Sequence, residues 1–301
     1  MLAGGCGGGD EPADGDAGLP MAGGGGALAY AVPELPDGID PLSASGAAEQ
    51  LIGRQIHEPL VGPLRGPYGA DAVKPGLALK VRPSADRTVW TLVLRDGVRF
   101  QDGTRFNASA VLANARRWRS LREGRRALPD LFAVDAPRPN EVRFLLDSPD
   151  PDLARRLRSP RLGIVSPQAF EPRSGDGARV INRPGSGTGP FEAGPRSARE
   201  LDLARNAGWW GSEIGLGPAL ESIAFVRAPR ESERLALLRS GEVQVAEPLG
   251  PASLRAAESD PLLRALVAGA GGTGIEASVR GLTGSVQSLS SVWLTRVGGG
   301  A

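Results

Sequence analysis

The chain has 301 residues, and its 35 Lys and Arg against 34 Asp and Glu give a formal net charge of +1. This length fits one large domain or two lobes that share a cleft. The near-zero net charge excludes a strong field over the whole molecule that would recruit nucleic acid or an acidic membrane. A hydrophobic fraction of 41% excludes wholesale disorder, and no apolar run approaches the ~18 residues of a spanning helix.

Cysteine and histidine each occur once, as Cys6 and His57. A disulfide framework, a Cys/His zinc cluster and a Cys–His nucleophilic pair cannot be built from these two residues. The sequence also lacks the nucleophile motif G-x-S-x-G. We therefore predict a protein that is not an enzyme, with no catalytic residue, cofactor or metal site, and with His57 in a structural or surface position.

The amino-terminal segment carries a small, apolar approach to Cys6 followed by a Gly/Asp/Pro tract. This pattern resembles a bacterial lipoprotein processing site, in which Cys6 is acylated and the tract forms a flexible tether. A secretory signal needs an apolar stretch of roughly 7–15 residues, so we expect either a start upstream of Met1 or a copy that is not exported. In the other interpretation Cys6 is an ordinary residue of a tail, and in both the Gly-rich residues 1–26 are unstructured.

Runs of β-branched and aromatic residues predict strands, and apolar residues three and four positions apart predict helices. In chain order these are a strand at 27–32, a helix at 50–60, strands at 89–94 and 98–100, a helix after Asn107, a strand at 141–146, a helix after Pro151, a strand at 221–226, a helix at 231–239, a strand at 243–245, a short helical stretch within 249–267 and a strand at 289–297. Asn107 is a good N-cap, and Gly241 is expected to stop the helix before it. The alternation of helices and strands predicts α/β layers.

Several sequence boxes then occur in the order known from one protein family. They are residues 74–78 (KPGLA), 90–100 (WTLVLRDGVRF), 102–108 (DGTRFNA), 187–191 (GTGPF), 205–211 (RNAGWWG) and 237–243 (LLRSGEV). Together they resemble the extracellular solute-binding proteins of family 5, which are the peptide- and nickel-binding receptors of ABC importers. The tryptophans of the fifth box, Trp209 and Trp210, are expected in a core rather than on a ligand.

The resemblance implies the α/β fold of periplasmic binding proteins (type II, cluster C), with a large lobe made of a mixed β-sheet and flanking helices. Family members insert a second lobe into this one, but no segment after Val245 resembles its opening. We therefore expect a shortened form in which the second lobe is largely absent. The expected organisation is a tether at 1–26, the truncated large lobe at 27–267, and a Gly/Ser-rich link with a final strand returning to the lobe at 268–301.

The resemblance also implies the substrate-binding component of an ABC transporter, which passes a peptide, oligopeptide or similar small solute to a permease without covalent chemistry. Such a protein is expected in the periplasm or on the extracellular face of the cytoplasmic membrane. Its membrane contact would be through a lipid anchor at Cys6 only, and nucleic acid would not be a partner. The alternative is a non-transporting remnant or interaction module that keeps the large lobe without closing on a ligand.

One wall of the cleft in this interpretation is lined by residues from three segments. They are Val32 and Glu34 at the exit of the first strand, Leu128 and Phe132, and Arg161. Arg161 would meet a carboxylate or a metal chelate, or else it is a solvated surface group.

Overall fold

The computed structural model of the chain describes residues 26–62, 76–170, 185–214, 218, 220–258, 260, 263–267 and 276–280. The strands in these ranges are β1 (Ala27–Val32), β2 (Ala78–Pro83), β3 (Val89–Leu94), β4 (Leu131–Arg138), β5 (Glu141–Leu146), β6 (Phe191–Arg196), β7 (Glu200–Arg205), β8 (Ser222–Arg227), β9 (Val245–Ala246), β10 (Leu263–Val267) and β11 (Glu276–Arg280). The α-helices are α1 (Ala47–Ile56), α2 (Ala108–Ser120), α3 (Arg122–Ala127), α4 (Leu153–Arg156), α5 (Glu231–Ser240) and α6 (Pro251–Glu258). Among these described helices, none has both the length and the apolar character needed to span a membrane.

The strands form one large mixed sheet and one small antiparallel sheet. The large sheet has seven strands in the order β10-β11-β9-β1-β8-β7-β6, and the small sheet has four in the order β2-β3-β5-β4. In the large sheet β1 runs parallel to both β8 and β9, whereas β6, β7, β10 and β11 pair antiparallel with their neighbours. This arrangement confirms the predicted α/β class with a mixed sheet and flanking helices.

The large sheet is covered on both faces. Successive side chains of a strand point to opposite sides of the sheet, so β1 contributes to the core on each face. Tyr30 and Val32 of β1 are fully buried in the core that contains Leu51 and Ile52 of α1. Ala31 lies in the opposite core, which contains Leu238 of α5. Small alanines on this second face of β1 leave room for α5 to pack close to the sheet.

The small sheet is covered mainly on one face, where α2 packs through Val111, Ala115 and Trp118. The same core includes Trp209 and Trp210, whose rings lie 5.5 Å apart between centroids and are 3% and 8% exposed. These values confirm the prediction that the tryptophan pair is core.

Most predicted elements are confirmed, and helix ends follow their expected caps. The Asn107 side chain accepts a hydrogen bond from the Ala110 N–H at 3.1 Å, and Gly241 ends α5 with a φ of 80°. The glycines of the GTGPF box are needed for close approach, because a Cβ on Gly187 or Gly189 would collide with the backbone carbonyl of Ile56.

Three predicted segments differ from the structure. Residues 98–100 form no strand, and the local pairing is an isolated bridge between Arg99 and Arg105, because the Asp102-Gly103 turn closes too soon for a ladder. The segment 249–267 contains α6 but ends in β10. Strand β11 lies in the segment expected to be a link, and it pairs with β9. The strand predicted at 289–297 lies outside the described residues.

Candidate functional site

The carboxyl ends of the parallel strands β1, β8 and β9 lie side by side. The loops that follow them are residues 33–40, 228–230 and 247–250, and we call this the carboxyl edge. It is tied to the sheet by the Ala228 N–H, which donates to the Val32 carbonyl at 2.8 Å, and by the Glu247 N–H, which donates to the Ala31 carbonyl at 3.1 Å. In open α/β sheets, ligands bind outside the carboxyl ends of parallel strands. The carboxyl edge is therefore the candidate functional site.

A buried guanidinium joins two of these loops. Arg234 of α5 donates from Nη1 to the Ala228 carbonyl at 2.7 Å and from Nη2 to the Pro248 carbonyl at 2.7 Å. The residue is only 4% exposed. Because a charged donor satisfies carbonyls that would otherwise be orphaned, Arg234 fixes the loops after β8 and β9 relative to each other.

The start of α1 lies beside the loop after β1, residues 33–40, and two carboxylates lie there, one from the helix and one from the loop. Glu49 accepts hydrogen bonds from the N–H groups of Ser45 at 2.5 Å and Gly46 at 2.9 Å, which caps the helix. Burial raises the pKa of Glu49, but these hydrogen bonds outweigh it and leave the pKa below its ordinary value. The exposed Glu34 carboxylate lies over Gly46, where a Cβ would stand 2.9 Å from Oε1.

Arg161 approaches the same helix start from the 3-10 turn Pro160–Leu162, which contacts α1. Its Nη2 donates to the Leu42 carbonyl at 3.1 Å, and its charge lowers the pKa of Glu49 further. Within the described part of the chain, the buried Nε of Arg161 has no hydrogen-bond partner. The arrangement therefore holds a half-buried cation beside the Glu49 carboxylate at the helix start.

A cavity of about 300 Å³ lies between α1 and the loop that follows β1. Its lining combines the apolar Ile52 and Ile56 with the acidic Asp37, Asp40 and Glu49. Asp40 is not available to a ligand as a free charge, because it forms an ion pair with Arg117 and accepts a hydrogen bond from the Leu42 N–H.

Below the carboxyl edge, three polar groups are buried against each other. Glu247 follows β9 and is 7% exposed, and Tyr30 of β1 is fully buried. Burial raises the pKa of Glu247, while the Tyr30 hydroxyl and the Arg54 guanidinium oppose that rise. Glu247, Tyr30 and Arg54 thus place a carboxyl, a hydroxyl and a guanidinium at the end of the large sheet, beneath the candidate site.

Two further polar side chains at the end of α1 are buried and structural. The Nε2 of His57 lies 2.9 Å from the Ser186 hydroxyl, and Glu58 accepts a hydrogen bond from the Trp210 indole at 2.8 Å. Burial, with a contribution from Arg117, lowers the pKa of His57 to about 3. Burial raises the pKa of Glu58 to about 7. His57 therefore has the structural position expected from the sequence.

The structure brings only part of the predicted cleft lining together. Glu34 and Arg161 both lie at the start of α1, and the backbone of Val32 ends β1 beside them. The side chains of Val32 and Leu128, however, are 0% and 4% exposed, because each points into a core, so neither contributes an open side-chain surface. Phe132 is 56% exposed on β4, next to Arg119 rather than at the carboxyl edge. Cys6 lies outside the described residues.

Three residues of the site were not predicted from the sequence. Glu49 had a partial signal, since a Glu three positions after the N-cap can accept from the N-cap N–H, although Gly46 has no side chain to complete a capping box. Arg234 and Glu247 carry no recognisable motif: Arg234 bonds loop carbonyls on either side of α5, and the partners of Glu247, Tyr30 and Arg54, are distant in the chain.

The comparisons with known proteins agree with this architecture. The family model described as "Bacterial extracellular solute-binding proteins, family 5 Middle" matches residues 72–282. The glutathione-binding protein GsiB of Escherichia coli (strain K12) is 29% identical over 218 residues, which cover 70% of this chain and 40% of that protein. The chain thus spans about 40% of the length of the curated relatives it matches.

Solved structures with the same fold include NikA from Brucella suis in complex with Fe(III)-EDTA, with a TM-score of 0.67, 24% identity and coverage of 81% of this chain and 48% of that one. They also include DppA from Helicobacter pylori in complex with the peptide STSA, with a TM-score of 0.67, 22% identity and coverage of 81% and 51%. These structures establish the type II periplasmic-binding-protein fold.

The family match reaches residue 282, which is beyond the last sequence box at 237–243. It covers more than half of the chain, and the relatives it groups are binding proteins rather than enzymes. The chain therefore belongs to the bacterial extracellular solute-binding proteins of family 5.

Proposed function

We propose that this chain is the substrate-binding component of an ABC importer and that it binds a peptide or a similar small solute at the carboxyl edge. The observation that carries the proposal is that a half-buried cation, Arg161, and an exposed carboxylate, Glu34, both lie at the start of α1 in a family 5 fold. GsiB is named for binding glutathione, and the DppA structure holds a peptide. Both are small solutes that carry carboxylate and ammonium groups.

The proposed roles follow from charge and exposure. Arg161 binds a solute carboxylate, because only one Nη of its half-buried guanidinium is bonded to Leu42 and a guanidinium has five N–H donors. Glu34 binds an ammonium group, because its carboxylate is exposed near the helix start. Val32 supports this wall by packing beneath it in the core of the large sheet, whereas Leu128 and Phe132 lie with the small sheet and have no role in it.

The proposed location is the periplasm or the extracellular face of the cytoplasmic membrane, where an importer receives its solute. A lipid anchor on Cys6 would hold the chain there, and the partner would be a transporter permease. Labelling cells that express the gene with a fatty-acid probe, followed by Cys6→Ala, tests the anchor: the label should disappear from the variant. A label that persists in the variant would exclude Cys6 as the modified residue.

Solute binding is tested by thermal unfolding of the 301-residue chain with dipeptides, tetrapeptides and glutathione. A ligand at about 100 times its dissociation constant should stabilise the chain by about 2.7 kcal/mol. Arg161→Gln should remove most of that stabilisation, whereas Arg155→Gln, a change of an exposed arginine on α4, should leave it intact. Equal ligand responses in the two variants would exclude Arg161 from the site.

The alternative function, an interaction module that does not hold a ligand, predicts a different result. Native mass spectrometry of the chain purified from a peptide-rich culture would then show the bare protein, while circular dichroism would show that it is folded. A discrete extra mass lost on mild activation supports the receptor and identifies the class of solute.

A further inference from the structure

Five exposed arginines are concentrated on α2, which covers the small sheet, and on α3, which packs against α2. They are Arg116 and Arg119 of α2 and Arg122, Arg125 and Arg126 of α3, and we call them the arginine patch. The two helices pack against each other, and Arg125 donates from Nη1 to the carbonyls of Arg119 at 3.1 Å and Ser120 at 2.6 Å. This contact fixes α3 against the end of α2, which keeps the five exposed arginines within two adjoining helices.

The charges of the patch are not neutralised by neighbouring carboxylates. In the part of the chain that the structure describes, the ion pairs involve other arginines, and none includes a member of the patch. Glu123 is the single acidic residue within positions 116–126. A net charge of +1 for the whole chain therefore conceals a strongly basic local surface.

A large apolar side chain lies next to these charges. Phe132 of β4 is 56% exposed, and its ring centre is 6.0 Å from the Arg119 guanidinium carbon. Strand β4 packs against α2, so Phe132 borders the patch as part of the same folded unit. Phe132 therefore offers an exposed apolar ring with cationic side chains beside it. This combination suits the boundary between an apolar layer and an anionic layer.

We propose that the arginine patch and Phe132 dock this chain on an anionic phospholipid surface. The guanidinium fork binds phosphate oxygens in pairs, and a lipid surface offers many phosphates at once to arginines spread over two helices. The aromatic ring enters the boundary between headgroups and acyl chains, where such rings are enriched. A single small anion would engage one or two of the arginines and would leave Phe132 in water. The proposal does not depend on solute binding at the carboxyl edge.

The test is co-sedimentation of the 301-residue chain with vesicles. Mixed vesicles of phosphatidylglycerol and phosphatidylcholine should bind the chain, and vesicles of phosphatidylcholine alone should not. The triple variant Arg119→Gln, Arg122→Gln, Arg126→Gln should lose about fivefold in affinity per arginine, hence on the order of 100-fold. A control with Arg82→Gln, Arg87→Gln and Arg196→Gln removes the same charge from exposed positions elsewhere, and it should bind nearly as well as the unchanged chain.

The role of the ring is tested separately with Phe132→Trp. On addition of the mixed vesicles, the emission of the introduced indole should shift to shorter wavelength, and acyl chains carrying bromine should quench it. Binding that does not differ between the two vesicle types, or that falls equally in the two triple variants, would overturn the proposal. So would absence of vesicle binding, including the case in which the patch binds only an acidic protein or a nucleic acid.

Discussion

The two sheets of this chain differ in what their strands leave exposed. The large sheet is covered on both faces, by α1 and α5, and its parallel strands end together at loops that carry Glu34 and Glu247. The small sheet is antiparallel and exposes one face, where Arg143 and Asp135 form an ion pair across β5 and β4. Parallel strands collect their carboxyl ends at one edge, whereas antiparallel strands alternate their ends. The charged loops of the proposed solute site therefore gather on the large sheet, and the small sheet provides support and surface.

The largest expected effect comes from removing one buried ring from each sheet. Phe225 of β8 and Phe144 of β5 are both fully buried, so Phe225→Ala and Phe144→Ala should each lower the free energy of unfolding by about 3–5 kcal/mol. The exposed Phe132→Ala should change it by less than about 0.5 kcal/mol. Urea unfolding monitored by circular dichroism measures all three.

The ligand response separates the two sheets in the same experiment. Phe225→Ala should weaken solute binding as well as stability, because β8 positions one loop of the carboxyl edge. Phe144→Ala should leave the affinity of the remaining folded chain nearly unchanged. Equal losses of affinity would show that the small sheet also shapes the site.

A second prediction concerns the polar pair at the end of α1, His57 and Glu58. The carboxyl of Glu58 has a pKa of about 7 when folded against an ordinary value of 4.5, so the folded state binds the extra proton between pH 4.5 and 7. Its contribution to stability therefore falls as the pH rises through that range, by about 3 kcal/mol in total. His57 behaves in the opposite way: its pKa is about 3 when folded against 6.5, so its contribution falls as the pH drops from 6.5 to 3.

Between pH 4.5 and 6.5 the stability contributions of Glu58 and His57 change in opposite directions with pH. The free energy of unfolding of the unchanged chain should therefore be nearly constant over this range. Glu58→Gln keeps an acceptor for the Trp210 indole but removes the titration. The variant should gain stability above pH 7 and show a rising slope from pH 4.5 to 6.5. Glu34→Gln, at an exposed position, serves as the control and should follow the unchanged chain. If the stability of the Glu58→Gln variant did not rise between pH 4.5 and 6.5, the raised pKa of Glu58 would be contradicted.

The smallest expected effect concerns the cap of α1. Glu49→Ala removes the acceptor of the Ser45 and Gly46 N–H groups and should cost about 1 kcal/mol. Glu200→Ala changes an exposed carboxylate at the start of β7 and should cost less than half as much. Chemical denaturation distinguishes the two, and equal losses would show that the cap contributes nothing specific.

The elements that could be predicted from the sequence are those whose signals are local. The β-branched run at 89–94 and the cap and apolar stripe of α2 needed no tertiary information, and both are confirmed. Two of the strands that were missed lack this signal: β2 exposes Lys80 and Arg82 at a sheet edge, and β6 contains Gly194 and Pro195. Their strand conformation comes from pairing with β3 and β7, which a single stretch of sequence does not encode.

The candidate site was predictable to a smaller extent. Glu34 follows a strand that was visible in the sequence, and Arg161 came from the family resemblance. Arg234 holds carbonyls from two loops, and Glu247 lies against Arg54 of α1. The contact between Glu247 and Arg54 joins residues far apart in the chain, and the bonds of Arg234 depend on how the loops after β8 and β9 are placed, so neither follows from a motif.

The central claim, that a solute binds at the carboxyl edge, is tested most directly by amide hydrogen exchange with and without a stabilising peptide. Solute binding there predicts slower exchange in residues 33–40, 228–230 and 247–250 and at the start of α1. Protection confined to the small sheet, with unchanged exchange along the carboxyl edge, would contradict it.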